Sequence, residues 1–185
     1  ECAKVLNDVA EKIGGTINIH IKLDTGLGRI GFQPNEASIE AITEIKRMPN
    51  INIQGIFTHF AVADSDKAYT MKQFNVFKSF LDGLTERGID IPIKHVSNSA
   101  AIIDFPKFSL DLVRPGCILY GLYPSGNGLR DNPELKPVMT LKTRVTHVKT
   151  VPHGTGLSYG LTYTTKNESC IGSLSVGYAD GYSRT

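Results

Sequence analysis

The stretch I-N-I-H-I-K-L-D, residues 17–24, determines how the fold of this chain is interpreted. Its apolar residues alternate as in a β-strand, and later stretches open in the same Ile-x-Ile form at residues 51 and 91. Between these openings, apolar residues recur at the three- and four-residue spacing of helices, over about 35–48 and 70–87. Strands that alternate with helices in this way predict repeated βα units and a parallel sheet.

The number of units indicates part of a larger α/β fold. D-L-V-R at 111–114 is a candidate fourth strand, and the chain opens in a helix rather than at a strand. Four units correspond to half of an eight-stranded barrel or to part of an open doubly wound sheet. After a turn-rich stretch at 124–137, which we interpret as a linker, short alternating segments predict the start of an antiparallel β domain. The expected domains are 1–130 and 131–185, the second of them unfinished.

Composition excludes several classes of function. Hydrophobic residues make up 41% of the 185 residues and charged residues 21%, which is typical of a folded domain. The net charge of +2 argues against nucleic acid as a partner, and no apolar run approaches the ~20 residues of a membrane span. The cysteines Cys2, Cys117 and Cys170 form no C-x-x-C pair, so we expect no metal site, no disulfide framework and a cytoplasmic location. Because the chain opens at Glu1 without a methionine, we expect it to be part of a longer protein.

The glycine-rich stretch T-G-L-G-R-I-G at 25–31 has three interpretations. It contains a formal G-x-G-x-x-G, but Pro34 disfavours the helix that a dinucleotide-binding loop requires at this point. It could be a plain βα turn whose glycines adopt positive φ. It could also direct Asp24 and Arg29 into a site at the end of the first strand.

Polar residues at the ends of the predicted strands favour the last of these interpretations. In a βα barrel the active site lies at the carboxyl ends of the strands. The later strand ends carry His59, Ser97-Asn98-Ser99, and Arg114 followed by Gly116. Asn98 and Ser99 could cap a helix, or they could bind a phosphate together with the bare amide of Gly116. Arg114 is either a surface residue or a permanent hydrogen-bond donor to a ring nitrogen.

Three further residues have both a structural and a functional interpretation. Lys22 is either a surface lysine or a buried partner of Arg29. Tyr159 and Tyr178 lie among glycines in the β region, where an aromatic side chain either packs or, with a lowered pKa, acts in proton transfer. For the neighbouring Tyr163 we favour packing.

Six motifs, in this order along the chain, resemble those of the bacterial alanine racemases. They are K-L-D-T-G-L-G-R-I-G-F (22–32), F-T-H-F-A-V-A-D (57–64), H-V-S-N-S-A (95–100), L-V-R-P-G-C-I-L-Y-G-L-Y-P (112–124), L-S-Y-G-L-T-Y (157–163) and V-G-Y-A-D-G-Y (176–182). The resemblance implies the second half of a pyridoxal 5'-phosphate (PLP)-binding TIM-type (β/α)8 barrel followed by the start of a C-terminal antiparallel β domain. It also implies a homodimer with shared active sites that interconverts L-alanine and D-alanine by two-base proton transfer, supplying D-alanine for peptidoglycan.

The resemblance also implies a role for each matched residue. Ser99 and the amides of Gly116 and Cys117 would bind the cofactor phosphate, with Asn98 beside them, and Arg114 would face the pyridine nitrogen.

The catalytic residues implied are Tyr159, Arg29 and His59. Tyr159 would be one of the two bases and would act in the partner subunit's site, while Arg29 would contact the substrate carboxylate and His59 would bond to Arg114. Tyr178 would line the substrate entrance. Lys22 matches a lysine that is carbamylated in some members of the family.

Two motifs of the family have no counterpart in the chain, and one of them is a later β-domain motif, which supplies substrate-binding groups to the partner site and which we expect after Thr185. The family's cofactor lysine lies in an A-V-V-K-A-N-A-Y-G-H-G-like motif that we expect before Glu1, so we expect this chain alone not to racemise amino acids. The alternatives are a serine-preferring racemase, a barrel-type amino-acid decarboxylase and a noncatalytic PLP-binding barrel protein. An inactive fragment is a further alternative, and it predicts exposed apolar surface and self-association.

Overall fold

The computed structural model describes residues 1–124 and 133–183 of the chain. The chain divides into two compact units, Glu1–Val138 and Met139–Thr185, which are described separately below. The expected domain boundary at residue 130 lies outside the described residues.

The first unit is built from βα repeats. Its elements are α1 (Cys2–Lys12), β1 (Ile17–Lys22), α2 (Glu36–Lys46), β2 (Ile51–Phe57), α3 (Lys67–Glu86), β3 (Ile93–His95) and α4 (Ser99–Asp104). The strands form one sheet in the order β1-β2-β3, and both pairs are parallel. The Ile-x-Ile openings align in register, with Ile17 opposite Ile51. The predicted parallel βα arrangement is therefore present.

The predicted fourth strand at 111–114 is wrong, because these residues form no ladder with β3. They run beside β3 and the residues after it, where the Asp111 N–H donates to the Lys94 carbonyl of β3 and the Arg114 N–H donates to the Ser97 carbonyl, each at 3.0 Å. The Asp111 carboxylate accepts the Lys94 N–H at 2.8 Å, so a side chain takes the place of a ladder carbonyl. The predicted strands also end early, since the polar residues that follow β1, β2 and β3 leave the sheet.

The core lies between the sheet and the helices α2 and α3. Ile42 and Phe77 from these helices and Ile56 from β2 are completely buried. Burial of each such side chain contributes roughly 1.5–3 kcal/mol. Phe108 closes one end of this core, with its ring centre 4.0 Å from that of Phe74. The core thus fixes β2, and the residues that follow this strand line the cavity described below.

The opposite side of β1 leaves apolar surface exposed. Val5 of α1 and Ile13, directly after this helix, are 58% and 72% exposed, and a groove of about 620 Å³ runs beside Leu6, Ile19 and Phe32. Half a barrel is expected to expose such a surface where the preceding βα units would pack.

The second unit is antiparallel. It contains β4 (Val145–Val151), β5 (Gly156–Leu157), β6 (Tyr163–Thr164) and β7 (Ser169–Leu174), with β4 paired to β7 and β5 paired to β6. Thr165 is buried and links the residues after β6 to those after β4, since its hydroxyl donates to the Pro152 carbonyl and accepts the Thr155 N–H. The predicted antiparallel character of this region is therefore correct. Within the described residues, no helix combines the length and apolar character that crossing a membrane requires.

Candidate active site

A cavity of about 390 Å³ in the first unit brings together most of the predicted site residues. It lies beyond the carboxyl ends of β2 and β3. Seven predicted residues line it: Arg29, His59, Asn98, Ser99, Arg114, Gly116 and Cys117. Polar residues from separate βα loops thus converge as barrel topology predicts.

The glycine-rich loop after β1 is shaped by Asp24, whose carboxylate accepts the N–H groups of Gly26, Leu27 and Gly28 at 2.9–3.1 Å. Burial alone would raise the pKa of Asp24, but these amide hydrogen bonds lower it below its usual value. The expectation that Asp24 points into the site is therefore wrong, whereas Arg29 does line the cavity. The dinucleotide interpretation is also disfavoured, since the loop amides are already bonded and the next helix begins only at Glu36.

Arg114 is held by backbone carbonyls and histidine nitrogens. Its Nη2 donates to the carbonyls of Thr58 at 2.7 Å and Val96 at 3.3 Å, and Nη1 bonds to His95 Nδ1. The predicted bond to His59 is long, at 3.5 Å between Nη2 and Nδ1. In the ranges 1–124 and 133–183, no acidic side chain forms an ion pair with Arg114. Within the part of the chain that the structure describes, the guanidinium is therefore a fixed positive charge at the cavity wall without an acidic partner.

His95 is a site residue that the sequence analysis missed. The residue is 5% exposed. Its ring stacks on Phe57 with ring centres 4.8 Å apart and has Nε2 2.8 Å from His20 Nδ1. Gly55 makes room for the His20 ring, because a Cβ there would lie 2.5 Å from it. Burial, with the nearby Arg114 and His20, lowers the pKa of His95 to about 4. Since arginine only donates, neutral His95 accepts at Nδ1 and carries its proton on Nε2 toward His20.

Titration of His95 should make the folded state less stable in mild acid. The pKa of an unfolded histidine is about 6.5, so between pH 6.5 and 4 the unfolded chain binds a proton that folded His95 does not. Unfolding free energy, measured in urea, should therefore fall as the pH is lowered through this range. His95→Gln keeps an acceptor for Arg114 and should reduce the change of unfolding free energy with pH. His147→Gln, at an exposed position of β4, should not reduce it. Equal slopes for the two variants would contradict the assignment.

The corner formed by Ser99 and Gly116 suits an anion. Ser99 is buried, and its Oγ accepts the Gly116 N–H at 2.8 Å, which leaves the hydroxyl hydrogen to be donated. The Cys117 N–H opens a 3-10 turn, so no carbonyl of that turn can accept it. Asn98 takes the helix-capping role, since its Oδ1 accepts the Ala101 N–H at 3.1 Å. With the cations Arg29 and Arg114 on the same cavity, these donors fit a phosphate group.

Lys22 lies on the wall of the apolar groove rather than in the cavity. Its Nζ donates to the Leu23 carbonyl at 2.9 Å and lies 5.8 Å from the centre of the Phe57 ring. Burial lowers the pKa of Lys22, and the charges of Arg29 and Arg114 lower it further against the opposing effect of Asp24. A lowered pKa increases the neutral amine that carbamylation requires.

Tyr159 and Tyr178 both belong to the second unit. Tyr159 is 83% exposed and opens a 3-10 turn, Tyr159–Leu161. Its neighbours Ser158 and Leu161 have φ of +58° and +46°, and among the described residues they are the non-glycine residues with positive φ. Such backbone costs about 1–3 kcal/mol per residue and clusters at functional sites. Tyr178 is 66% exposed, and its role at a substrate entrance stays a prediction.

A parallel βα sheet with cations and hydroxyls beyond its strand ends, followed along the chain by an antiparallel β unit, is typical of a two-domain α/β protein with its site at the strand ends. Models of the alanine racemase N-terminal and C-terminal domains match residues 1–124 and 138–185. The chain therefore belongs to the alanine racemase family.

Relatives with the same domain pair support this assignment. The alanine racemase of Methanococcus maripaludis is 56% identical over all 185 residues, which make up 50% of that protein. A structure titled alanine racemase from Clostridium difficile 630 is 48% identical with a TM-score of 0.87, over 99% of this chain and 48% of the other. A second Clostridium difficile 630 structure, in complex with cycloserine, is 46% identical with a TM-score of 0.83, over 99% and 47% of the two chains. The chain spans about half the length of the curated relatives it matches.

Proposed function

We propose that this chain supplies the phosphate corner, the ring-nitrogen donor and one proton-transfer base of a PLP-dependent alanine racemase. The observation that carries the proposal is Arg114, a guanidinium that pairs with no acidic side chain among the described residues and lines the same cavity as Ser99. A phosphate and a pyridine nitrogen are the two acceptors that such a pair of donors would recognise together.

The residues divide into those that hold the cofactor and those that act on the substrate. PLP supplies the acidification of the α-proton when it is bound. Ser99 and the Cys117 amide would hold its phosphate, while Arg114 would donate to the ring nitrogen and keep it unprotonated. The Gly116 N–H, which donates to Ser99 Oγ, orients that hydroxyl.

Arg29 is the proposed anchor of the substrate carboxylate, because it is an exposed cation that lines the cavity. His59, 3.5 Å from Arg114, would orient the guanidinium. Tyr159 would exchange a proton with one face of the α-carbon, in the partner subunit's site of a homodimer. Carbamylation of Lys22 would reverse its charge and turn it into a partner for Arg29.

The proposed substrate is alanine, with D-alanine for peptidoglycan as the product. The support is the name alanine racemase on relatives of 50–56% identity. We place the reaction in the cytoplasm, where the free thiols Cys2, Cys117 and Cys170 would stay reduced. A serine-preferring racemase remains the second candidate.

A chimera tests this proposal directly. In it, this chain replaces the matching 185-residue segment of the Methanococcus maripaludis relative, which supplies the remaining half of the protein. We expect the chimera to bind PLP and to interconvert L-alanine and D-alanine faster than the serine enantiomers, measured by chiral chromatography. A chimera that folds by circular dichroism and binds PLP but racemises neither amino acid would contradict the proposal. Faster turnover of serine would favour the second candidate.

A further inference from the structure

Helix α3 carries two polar side chains, Tyr69 and Gln73, that the proposed reaction does not use. They are four residues apart, so they lie on the same face of the helix. Gln73 is 0% exposed, in a helix whose other buried side chains include Phe77, Phe80 and Leu84. A buried amide costs free energy unless its groups are hydrogen-bonded, so the partners of Gln73 show why an amide occupies this position.

Gln73 bonds to the segment that follows β2. Its Oε1 accepts the Ala61 N–H at 2.9 Å, and its Nε2 donates to the His59 carbonyl at 3.3 Å. The β2 strand ends at Phe57, so this segment has left the sheet ladder. Gln73 therefore supplies, from one side chain, both a donor and an acceptor of the kind a neighbouring strand would provide.

The same helix face also bonds to the loop that follows β1. Gln73 Nε2 lies 3.3 Å from Thr25 Oγ1, to which it donates. The Tyr69 hydroxyl donates to the Gly26 carbonyl at 2.9 Å. Gly26 has φ of +133°, and a Cβ there would lie 2.5 Å from the Tyr69 oxygen, so only glycine permits this close approach. The loop that these hydrogen bonds hold against α3 also carries Arg29.

A hydroxyl pair joins the two segments directly. Thr25 Oγ1 and Thr58 Oγ1 are 2.7 Å apart, and Thr58 is completely buried. Gln73 thus sits at the junction of the two loops, next to this pair. It does not itself line the cavity that Arg29 and His59 share.

We propose that Gln73 is a positioning residue, which fixes the loop after β1 and the segment after β2 relative to each other so that Arg29 and His59 line one cavity together with Arg114. Tyr69 assists by holding Gly26. The inference rests on the proposed function, because it concerns how the groups of that site are aligned. Misplacement of catalytic groups by about 1 Å can cost roughly 100-fold in rate.

The test compares Gln73→Leu with Thr70→Val in the chimera defined above. Thr70 is also 0% exposed on α3, but its hydroxyl donates to the Asp66 carbonyl at the start of the same helix, and among the described residues it has no hydrogen bond to Thr25, His59 or Ala61. We expect Gln73→Leu to lower kcat about 100-fold while PLP affinity is retained, since it leaves Ser99 and Cys117 untouched. Amide hydrogen exchange at Ala61, followed by mass spectrometry, should rise at least about tenfold. Thr70→Val should change neither quantity.

Further outcomes separate positioning from general stability. Equal losses of kcat in the two variants at matched urea midpoints would overturn the proposal, as would an Ala61 amide that stays protected in folded Gln73→Leu. If Gln73→Leu does not fold, Tyr69→Phe decides, because a lower kcat at unchanged stability supports positioning and an unchanged kcat refutes it. A parent chimera that is inactive would contradict the proposed function, whereas the exchange measurement would still decide whether Gln73 holds the segment.

Discussion

Arg114→Glu in the chimera is expected to lower alanine racemisation about 1000-fold, the upper range for removing one aligned electrostatic donor. A carboxylate at this position would accept a proton shared with the ring nitrogen, whereas the guanidinium can only donate. With PLP bound, a protonated ring nitrogen would make the cofactor a stronger electron sink and would favour transfer of the alanine amino group to it, which leaves the carbon skeleton as pyruvate. The measurement is pyruvate released per alanine racemised, and this ratio should rise.

The ratio is informative because it does not depend on how much of the variant folds. Some loss of stability is expected as well, since Arg114 satisfies the carbonyls of Thr58 and Val96 and pairs with His95. Arg114→Lys is the matched control, because lysine keeps the positive charge but lacks the planar guanidinium with its several N–H donors. It should lower activity without raising the pyruvate ratio. An unchanged ratio in Arg114→Glu would refute the assignment of Arg114 to the ring nitrogen.

The architecture was predictable because the relevant signals are local. The Ile-x-Ile openings at 17, 51 and 91 indicate strands because every second residue is apolar, and in the structure the first two openings align in register. The segment at 111–114 shows the limit of this reasoning. It has strand composition and runs beside β3, but Asp111 occupies a ladder position with its carboxylate.

The site was predictable in its residues but not in their partners. His59, Ser99 and Arg114 were each predicted at the carboxyl end of a strand, and barrel topology alone brings such residues close together. That His95 rather than His59 makes the shorter bond to Arg114 depends on distances between strands, which a single sequence does not contain. Gln73 was missed for a similar reason, since a lone glutamine on an amphipathic helix is normally solvated.

The turn around Tyr159 points to a functional constraint that packing does not explain. The side chain is 83% exposed, yet the residues on either side of Tyr159-Gly160 hold positive φ without being glycine. An exposed tyrosine gains little from packing, so the cost of this backbone is better explained by the direction in which it presents the phenol.

Tyr159→Phe in the chimera is therefore expected to lower racemisation by about 10²- to 10⁴-fold, the usual contribution of a positioned acid or base. Tyr163→Phe is the matched control, because Tyr163 is 55% exposed on β6 in the same unit and should retain activity within about tenfold. In D₂O, each base exchanges the α-proton on one face of the substrate. Loss of Tyr159 should consequently slow deuterium incorporation from one alanine enantiomer far more than from the other. An equal slowing for both enantiomers would mean that Tyr159 positions the substrate, and the second base would then have to be sought elsewhere in the protein.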